Sequence, residues 1–236
     1  MPALSLAVVA SLREAMHSME GVEIAIAPGQ LAVRGAATLA AVFSYLGRPI
    51  LVRRKGRWVT RYGWMDLRRV ALSFGTRWAA LCDVPDLTLT HVRYPEVKDV
   101  SFHAALEFRL QHAVLWMLAG LRRLGLPFAV DGWARALERV SAVFDPFAGS
   151  WGGMHVSVTG IDHEGQRARR TWELKVPAAD GPEIPTIAAI VLARQIARGE
   201  NMEIGATTGA GRVGLGDFKG EFRKWNITTS VAESPE

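Results

Sequence analysis

The chain has 236 residues, 49% of them hydrophobic, and a formal net charge of +5. A domain of this size hides roughly 70–75% of its unfolded surface, so one large domain, or one domain with an extension, is expected. A single cysteine, Cys82, excludes an internal disulfide framework and indicates a reducing, cytoplasmic compartment. The apolar run of residues 113–121 is far shorter than the about 20 residues that a bilayer span requires, so no transmembrane segment is predicted.

The N-terminal part of the chain alternates between helical and extended patterns. Apolar residues at helical spacing predict a first helix over residues 4–19, which ends at Gly21. A short strand over residues 22–27 follows. A second amphipathic helix is predicted over residues 39–46, and Gly47 ends it.

The next segment has the apolar and polar alternation that is typical of half-buried strands. Residues 49–54 and 57–62 predict a hairpin around Lys55 and Gly56. Further strands are predicted at 68–74, 78–82 and 97–102. Such alternation favours an antiparallel or mixed sheet with one solvent-facing side.

The second half of the chain begins with two predicted helices and then returns to strands. The helices span residues 106–124 and 133–144 and form a hairpin beside the sheet. Two strands around residues 154–159 and 171–176 flank a turn at 162–165. The helix over 186–198 is apolar almost all round, so we expect burial on more than one side. Beyond Gly199, a glycine-rich loop, a short helix near 218–225 and a frayed tail at 230–236 are predicted.

These elements together predict an α+β fold with a mixed, largely antiparallel sheet and helices packed mainly on one face. Short motifs in a consistent order also carry a family resemblance. They are Ile24-Ala25-Ile26-Ala27-Pro28-Gly29, Arg34-Gly35, Tyr45-Leu46-Gly47-Arg48-Pro49-Ile50, Gly56-Arg57-Trp58, Gly63-Trp64, Cys82-Asp83-Val84-Pro85-Asp86, Gly152-Gly153-Met154, Gly160, Gly165, Arg170, Trp172, Leu174, Gly181-Pro182 and Ile184-Pro185. In this order and spacing the chain resembles bacterial saccharopine-dehydrogenase-like proteins.

The resemblance implies a role for the chain as part of a two-domain enzyme. Residues 1–199 correspond to the family's substrate and dimerisation domain, and residues 200–236 to a partly flexible C-terminal extension. No part of the sequence resembles the family's N-terminal nucleotide-binding domain. The full family enzyme uses NAD(P) for hydride transfer, whereas this chain alone is expected to bind no cofactor and to be inactive. Its implied partners are a nucleotide-binding domain, from the same or a neighbouring chain, and a second copy in a homo-oligomer.

One short motif matches the sequence pattern of a cofactor-binding site. Residues 209–214 read G-x-G-x-x-G, the fingerprint of a dinucleotide-binding turn. That chemistry requires a preceding strand, a following helix and an acidic residue about 20 positions later. Residues 200–208 do not have a strand pattern, so a flexible loop is favoured.

The positive charge of the chain is concentrated in one segment. Residues 48–77 contain nine basic residues and one acidic residue, Asp66, and several aromatic residues lie among them. A nucleic-acid surface would use this composition, because cations neutralise phosphate and aromatic rings stack on bases. A hairpin with solvent-facing arginines and core-facing aromatic rings is favoured, and no nucleic-acid partner is predicted. A third interpretation stays open, in which some arginines contact an acidic substrate or a cofactor phosphate.

Three residues at the ends of predicted elements are the candidate substrate-binding residues: Arg34, Asp83 and Asp86. Loop residues held by a rigid scaffold often bind ligands. The competing interpretation is that Asp83 caps a turn and Asp86 caps the next segment. Cys82 lacks a nearby histidine and is expected to be a small buried residue. No residue is assigned a catalytic role.

The remaining functional classes are less favoured. The six histidines show no paired metal-ligand spacing, and no metal site is predicted. A non-catalytic binding or scaffold protein that keeps the fold is the alternative function, with the late apolar helix as its interface. A membrane-surface protein that uses Leu115, Trp116 and Leu118 beside Arg122 and Arg123 is the third possibility.

Overall fold

The structure is a computed structural model that describes residues 2–32, 36–126, 139–200 and 205–235. The α-helices with bounds in these ranges are α1 Pro2–Arg13, α2 Ala36–Tyr45, α3 Asp86–Arg93, α4 Arg109–Arg123, α5 Ile184–Ala197 and α6 Leu215–Phe222. The strands are β1 Met16–Ala27, β2 Pro49–Arg54, β3 Arg57–Tyr62, β4 Arg68–Leu72, β5 Gly75–Leu81, β6 Asp99–Ala105, β7 Trp151–Asp162, β8 Arg167–Pro177 and β9 Thr228–Pro235.

All nine of these strands join one sheet, whose main path runs β3-β2-β6-β1-β7-β8-β9. β1 pairs with β6 in parallel, and the other strand pairs of the described residues are antiparallel. β2 and β5 share one edge of β6, where β2 meets Val100 and β5 meets residues 103–105. The sequence-based expectation of an α+β fold with a mixed, mostly antiparallel sheet is therefore confirmed.

Helices cover one face of the sheet and form the main hydrophobic core with it. Every second residue of a strand points to this face, and the paired residues Ile24, Phe102 and Val156 lie there at 0–1% exposure. α1 packs across β1, β7 and β8, and α6 supplies Phe218, which is fully buried. This burial supplies most of the driving force for folding, because apolar area removed from water is the dominant favourable term.

The opposite face is covered at one end only. The β4–β5 hairpin folds over the end of β1, where Val70, Leu72 and Phe74 pack on Ala25 and Ala27. Small alanine side chains on β1 let the hairpin approach closely. Toward the start of β1, polar and charged side chains occupy this second face.

The boundary between α1 and β1 differs from the sequence prediction. The helix ends at Arg13, and Met16 already pairs with Asp162 in β1. The pairing with β7 shifts register twice, between Met16 and Ser18 and between Met19 and Gly21. Each shift adds a residue to the strand, so Met16, Met19 and Val22 all reach the buried face at a spacing of three. This spacing imitated a helix in the sequence.

The C-terminal segment also differs from the prediction. Residues 230–236 were expected to fray, but β9 pairs with β8 from Lys175–Thr228 to Ala168–Pro235. All eight residues of β9 are exposed, so the sequence carries no burial pattern for a strand. The edge of β8 supplies the hydrogen-bonding partners, and this contact is non-local.

Two helices differ from the sequence prediction in burial or in position. α5 starts and ends close to prediction, but its buried residues, Ile184, Ile187 and Val191, form a single stripe, so the expected burial on several sides is wrong for this chain alone. α3 was not predicted at all. The first half of the helix predicted over 133–144 lies outside the described residues, and residues 139–142 are helical.

The basic hairpin has the predicted strands but not the predicted aromatic packing. β2 and β3 match the predicted bounds, and Lys55 and Gly56 turn the chain with φ of +49° and +74°. Trp58 is 42% exposed and stacks edge-on against His91, with ring centroids 5.4 Å apart. The expectation that the aromatic rings face the core holds for Trp64 and is wrong for Trp58.

Candidate functional site

Strand register brings polar residues into rows across the open part of the second face. Glu23 of β1 pairs with Ser101 of β6 and Ser157 of β7. Ser157 in turn pairs with Thr171 of β8. Side chains directly opposite in neighbouring strands lie on the same face. The pairing therefore builds a continuous polar floor from four strands that are distant in sequence.

The next row of the floor depends on a glycine. Gly21 lies between Asp99 and Thr159. A Cβ atom at Gly21 would lie 2.6 Å from the Thr159 side-chain oxygen, which is closer than real Cβ contacts. A larger residue at position 21 would force the Thr159 side chain to move, so glycine preserves the shape of the floor here.

A pocket of about 230 Å³ opens above these rows, at the end of the face that the β4–β5 hairpin leaves uncovered. Four arginines and three carboxylates lie in its walls, so its formal charge is +1. The lining residues are Glu20, Gly21, Val22, Glu23, Arg54, Arg68, Asp99, Ser101, Ser157, Thr159, Arg167 and Arg169.

Glu23 organises the inner wall of this pocket by joining two arginines. One carboxylate oxygen accepts a hydrogen bond from Arg68 at 2.7 Å, and the other lies 3.6 Å from Arg169. Arg169 also donates to the Ser157 hydroxyl at 3.2 Å. Burial acts to raise the pKa of Glu23, but the charge and hydrogen bond of Arg68 outweigh it and the pKa is lowered. Glu23 is therefore ionised at neutral pH.

Glu20 has a similar arrangement at the outer rim. Its two oxygens bind Lys98 at 2.8 Å and Arg167 at 3.0 Å. The hydrogen bond and charge of Lys98 lower the pKa of Glu20. Because each glutamate is shared by two cations, the carboxylates hold the basic side chains in place without neutralising them completely.

Arg54 completes the wall from the β2–β3 hairpin. It lies 3.5 Å from Asp66, and its side chain is 20% exposed. Burial and the positive charge of Arg68 lower the pKa of Arg54. Two arginines that repel each other in a partly buried pocket are stabilised by an anion between them.

Two histidines lie one row farther along the same face. His103 of β6 and His155 of β7 both pair with Ala25 of β1. Burial and the charge of Arg68 lower the pKa of His103 to about 4, and burial lowers the pKa of His155. Neither ring nitrogen of His103 has a hydrogen-bond partner among the described residues. Both imidazoles are therefore neutral at pH 7 and add no charge to the site.

The arrangement is suited to binding rather than to nucleophilic chemistry. Guanidinium groups bind carboxylate and phosphate groups through paired hydrogen bonds. Cys82 is buried, and burial raises the pKa of its thiol to about 12. Within the described ranges, no group of three histidine, cysteine or acidic side chains is placed to hold a metal ion. Each helix of the described residues is too short or too polar to cross a membrane.

The two described residues among those proposed from sequence, Asp83 and Asp86, lie elsewhere. Arg34 is outside the described residues. Asp83 is exposed in the connection after β5, and Asp86 is buried in the first turn of α3. The Asp86 carboxylate accepts a hydrogen bond from Ser5 of α1, and burial raises the pKa of Asp86. Neither aspartate lines the pocket, and their substrate-binding role stays a prediction.

The G-x-G-x-x-G segment forms a loop that leads into α6. Described residues 205–208 before it are not a strand, and the Gly214 N–H donates to Asp217 at 2.9 Å. Gly209 and Ala210 border a second pocket of about 220 Å³ beside the first turns of α1 and α5. None of the described residues that line that pocket has a titratable side chain.

Sequence reasoning did not identify the pocket residues, although part of the signal was present. The alternation of His155, Ser157 and Thr159 marked one polar face of β7. The open interpretation that arginines of residues 48–77 contact an acidic ligand fits Arg54 and Arg68. Glu20 and Glu23 were missed, because their partners are set by strand pairing over distances of tens of residues.

Comparison with solved structures shows what the fold is similar to. The apo, histidine-tagged saccharopine dehydrogenase (L-Glu forming) from Saccharomyces cerevisiae matches with a TM-score of 0.62 and 9% sequence identity. The match covers 98% of this chain and 71% of the yeast chain. No family model matches the sequence, and no curated protein matches it. The expected saccharopine-dehydrogenase-like fold is thus confirmed as a fold, and the missing nucleotide-binding domain stays a prediction.

Proposed function

We propose that this chain is the substrate-binding and oligomerisation domain of an NAD(P)-dependent oxidoreductase of the saccharopine dehydrogenase type. The observation that carries the proposal is the arginine-lined pocket, on a fold similar to that of the yeast enzyme. The pocket binds the carboxylate group of a small acidic substrate. A nucleotide-binding domain supplies NAD(P), and the isolated chain does not oxidise NADPH.

The electrostatics of the pocket support a small anion as ligand. Arg68 and Arg169 are held by Glu23, so their guanidinium groups are oriented before a ligand arrives. Preorganised groups lose less conformational entropy on binding than mobile ones. The excess of one positive charge favours a carboxylate or a monoanionic phosphate.

The test measures ligand-induced stabilisation of the whole chain. L-glutamate is the first probe, since the yeast enzyme is described as L-Glu forming. We expect millimolar L-glutamate to raise the melting temperature of the natural chain, and Arg68→Gln to abolish the rise. Arg69→Gln is the matched control, because Arg69 is the next residue of β4 and is exposed.

Two results would count against the proposal. One is the absence of any stabilisation of the natural chain by L-glutamate, glutarate and inorganic phosphate alike. The other is an equal stabilisation in the Arg68→Gln and Arg69→Gln variants. NADPH oxidation by the isolated chain would contradict the inferred need for a second domain.

A second observation supports the oligomerisation role and also fits a non-catalytic scaffold protein. The outward side of α5 carries Pro185, Ala189, Ala193 and Ile196, and Ile196 is 56% exposed. Surface helices normally have polar outward sides. We expect Ile196→Glu to shift the chain toward the monomer in sedimentation velocity experiments, whereas Val92→Glu on α3 has no effect. A monomeric natural chain would refute this role for α5.

A further inference from the structure

α4 lies on the surface of the fold with its inner side firmly attached. His112 and Ala119 face inward at 2% and 0% exposure. Arg122 donates to the backbone carbonyl of Phe43 at 2.7 Å and to that of Leu46 at 3.3 Å. The helix is therefore fixed on α2, and its outward side is defined.

That outward side is apolar from Leu110 to Met117. Between Arg109 and Arg123 at its ends, the exposed residues are Leu110, Ala113, Trp116 and Met117. Leu110 is 62% exposed and Met117 is 54% exposed. A surface helix of a globular domain usually presents charged and polar residues at these positions.

The apolar surface continues beyond the helix. Gln111 of α4 donates to the Ser141 hydroxyl at 3.0 Å, and the rings of Phe108 and Phe144 lie 5.0 Å apart. These contacts hold the segment after residue 138 beside the start of α4. We call the combined surface the α4 apolar strip, and it consists of the exposed Leu110, Ala113, Trp116, Met117, Leu124, Val140, Val143 and Phe147.

Basic residues border the α4 apolar strip. α4 contains no acidic residue and has arginines at both ends. The Arg123 guanidinium lies 4.1 Å from the centre of the Tyr62 ring, which joins the end of α4 to β3. β3 also carries the exposed Arg57 and Arg61, which alternate with Tyr62 and therefore lie on the opposite face of the strand. The arginines that border the strip are Arg109 and Arg123, at the two ends of α4.

We propose that the α4 apolar strip docks the chain on a lipid bilayer with anionic headgroups. The helix is about 22 Å long and lies flat on the fold, so it enters the headgroup region sideways rather than crossing the bilayer. Leucine, methionine and phenylalanine reach the acyl boundary, and Trp116 lies at the depth that tryptophan prefers. The bordering arginines bind the negative headgroups.

Two other occupants fit the strip less well. A nucleic acid would gain little from the aliphatic centre, which offers no cation for phosphate. A second copy related by twofold symmetry would place the arginines at the ends of one α4 near those of the other, without acidic residues on α4 to pair with them. An anionic membrane provides acyl chains for the apolar centre and negative headgroups for the basic border.

The experiment is co-sedimentation of the full chain with vesicles. Vesicles of seven parts phosphatidylcholine to three parts phosphatidylserine should bind the chain, pure phosphatidylcholine should bind it less, and high salt should weaken the binding. A Trp116→Ser, Met117→Ser double variant should lose at least about tenfold in affinity. Val92→Ser is the control, since Val92 is 71% exposed on α3 and lies outside the strip.

Several outcomes would overturn the proposal. These are a natural chain that does not sediment with anionic vesicles, a double variant that binds like the natural chain, and a control that loses as much as the double variant. Loss of a dimer in the double variant, without any vesicle binding, would assign the strip to a second copy. The double variant should keep the natural melting temperature and glutamate response, so this test does not depend on the pocket.

Discussion

The bridge between Glu23 and its two arginines makes the structure testable by a single substitution, Glu23→Gln. Glutamine keeps the size of the side chain and removes its charge. The change leaves the Arg68 hydrogen bond with a neutral acceptor and removes the charge 3.6 Å from Arg169. The pocket then holds four arginines against two carboxylates.

The expected loss of stability follows from the burial of the pair. The Glu23 and Arg68 side chains are 26% and 31% exposed. Exposed ion pairs contribute about 0–1 kcal/mol, and breaking a buried pair costs about 3–5 kcal/mol. This pair lies between these limits, so we expect the free energy of unfolding to fall by about 2 kcal/mol. For a chain of this size the melting temperature should fall by about 4–8 °C.

The pH dependence of this stability difference provides an independent check of its sign. The pKa of Glu23 is lowered in the folded chain from its ordinary value of 4.5, so the folded state favours the ionised form. The contribution of Glu23 is complete above pH 4.5 and is lost as the pH falls through the folded pKa. The difference between the natural chain and Glu23→Gln should therefore be full at pH 7 and should shrink in acid.

Urea unfolding followed by circular dichroism measures both quantities. Glu20→Gln is the matched control, because its partners Lys98 and Arg167 are 57% and 58% exposed. The control should lose less than about 1 kcal/mol. A Glu23→Gln variant within about 0.5 kcal/mol of the natural chain at pH 7, or an equal loss in both variants, would contradict the stabilising role of Glu23.

Three further experiments, two of them with a control substitution, test the fold. Phe218→Ala should cost about 3–5 kcal/mol in urea unfolding because the ring is fully buried, whereas Val231→Ala on exposed β9 should change stability by less than about 0.5 kcal/mol. Gly47→Ala should cost at least about 2 kcal/mol, because φ is +66° and a Cβ would collide with the Ala119 carbonyl oxygen. Gly56→Ala is the control: its Cβ would have no other atom within 4 Å, so it should cost only about 1 kcal/mol for its positive φ. Cys82 should react with a thiol reagent at pH 8 only after unfolding, because its pKa is about 12; rapid reaction of the folded chain would contradict its burial.

Elements with local signals were predictable from the sequence. The β2–β3 turn needs residues that tolerate positive φ, and Lys55-Gly56 supplies them. The end of α5 was marked by Gly199, which has φ of +77°. These choices depend on the backbone preferences of a few neighbouring residues, so composition and spacing are enough to find them.

Elements that depend on distant partners were not predictable. β9 exists because the edge of β8 pairs with it, although every residue of β9 is exposed. The first part of β1 was not recognised as a strand, because two bulges give its buried residues the spacing of a helix. The pocket has the same origin, since Glu23 and Arg68 are 45 positions apart and meet only after the sheet has formed. Pairing register is a property of the whole sheet, and a single sequence does not display it.

The placement of the basic residues favours one of the interpretations of residues 48–77. Arg54 and Arg68 enter the pocket. Arg53 donates to the Val97 carbonyl at 3.1 Å, and Arg77 donates to the carbonyls of Ala27 and Pro28. Four of the nine basic residues therefore serve the fold or the pocket and do not form a continuous outward surface. A phosphate backbone requires cations that face solvent in a row, so this distribution favours a small anionic ligand over a nucleic acid.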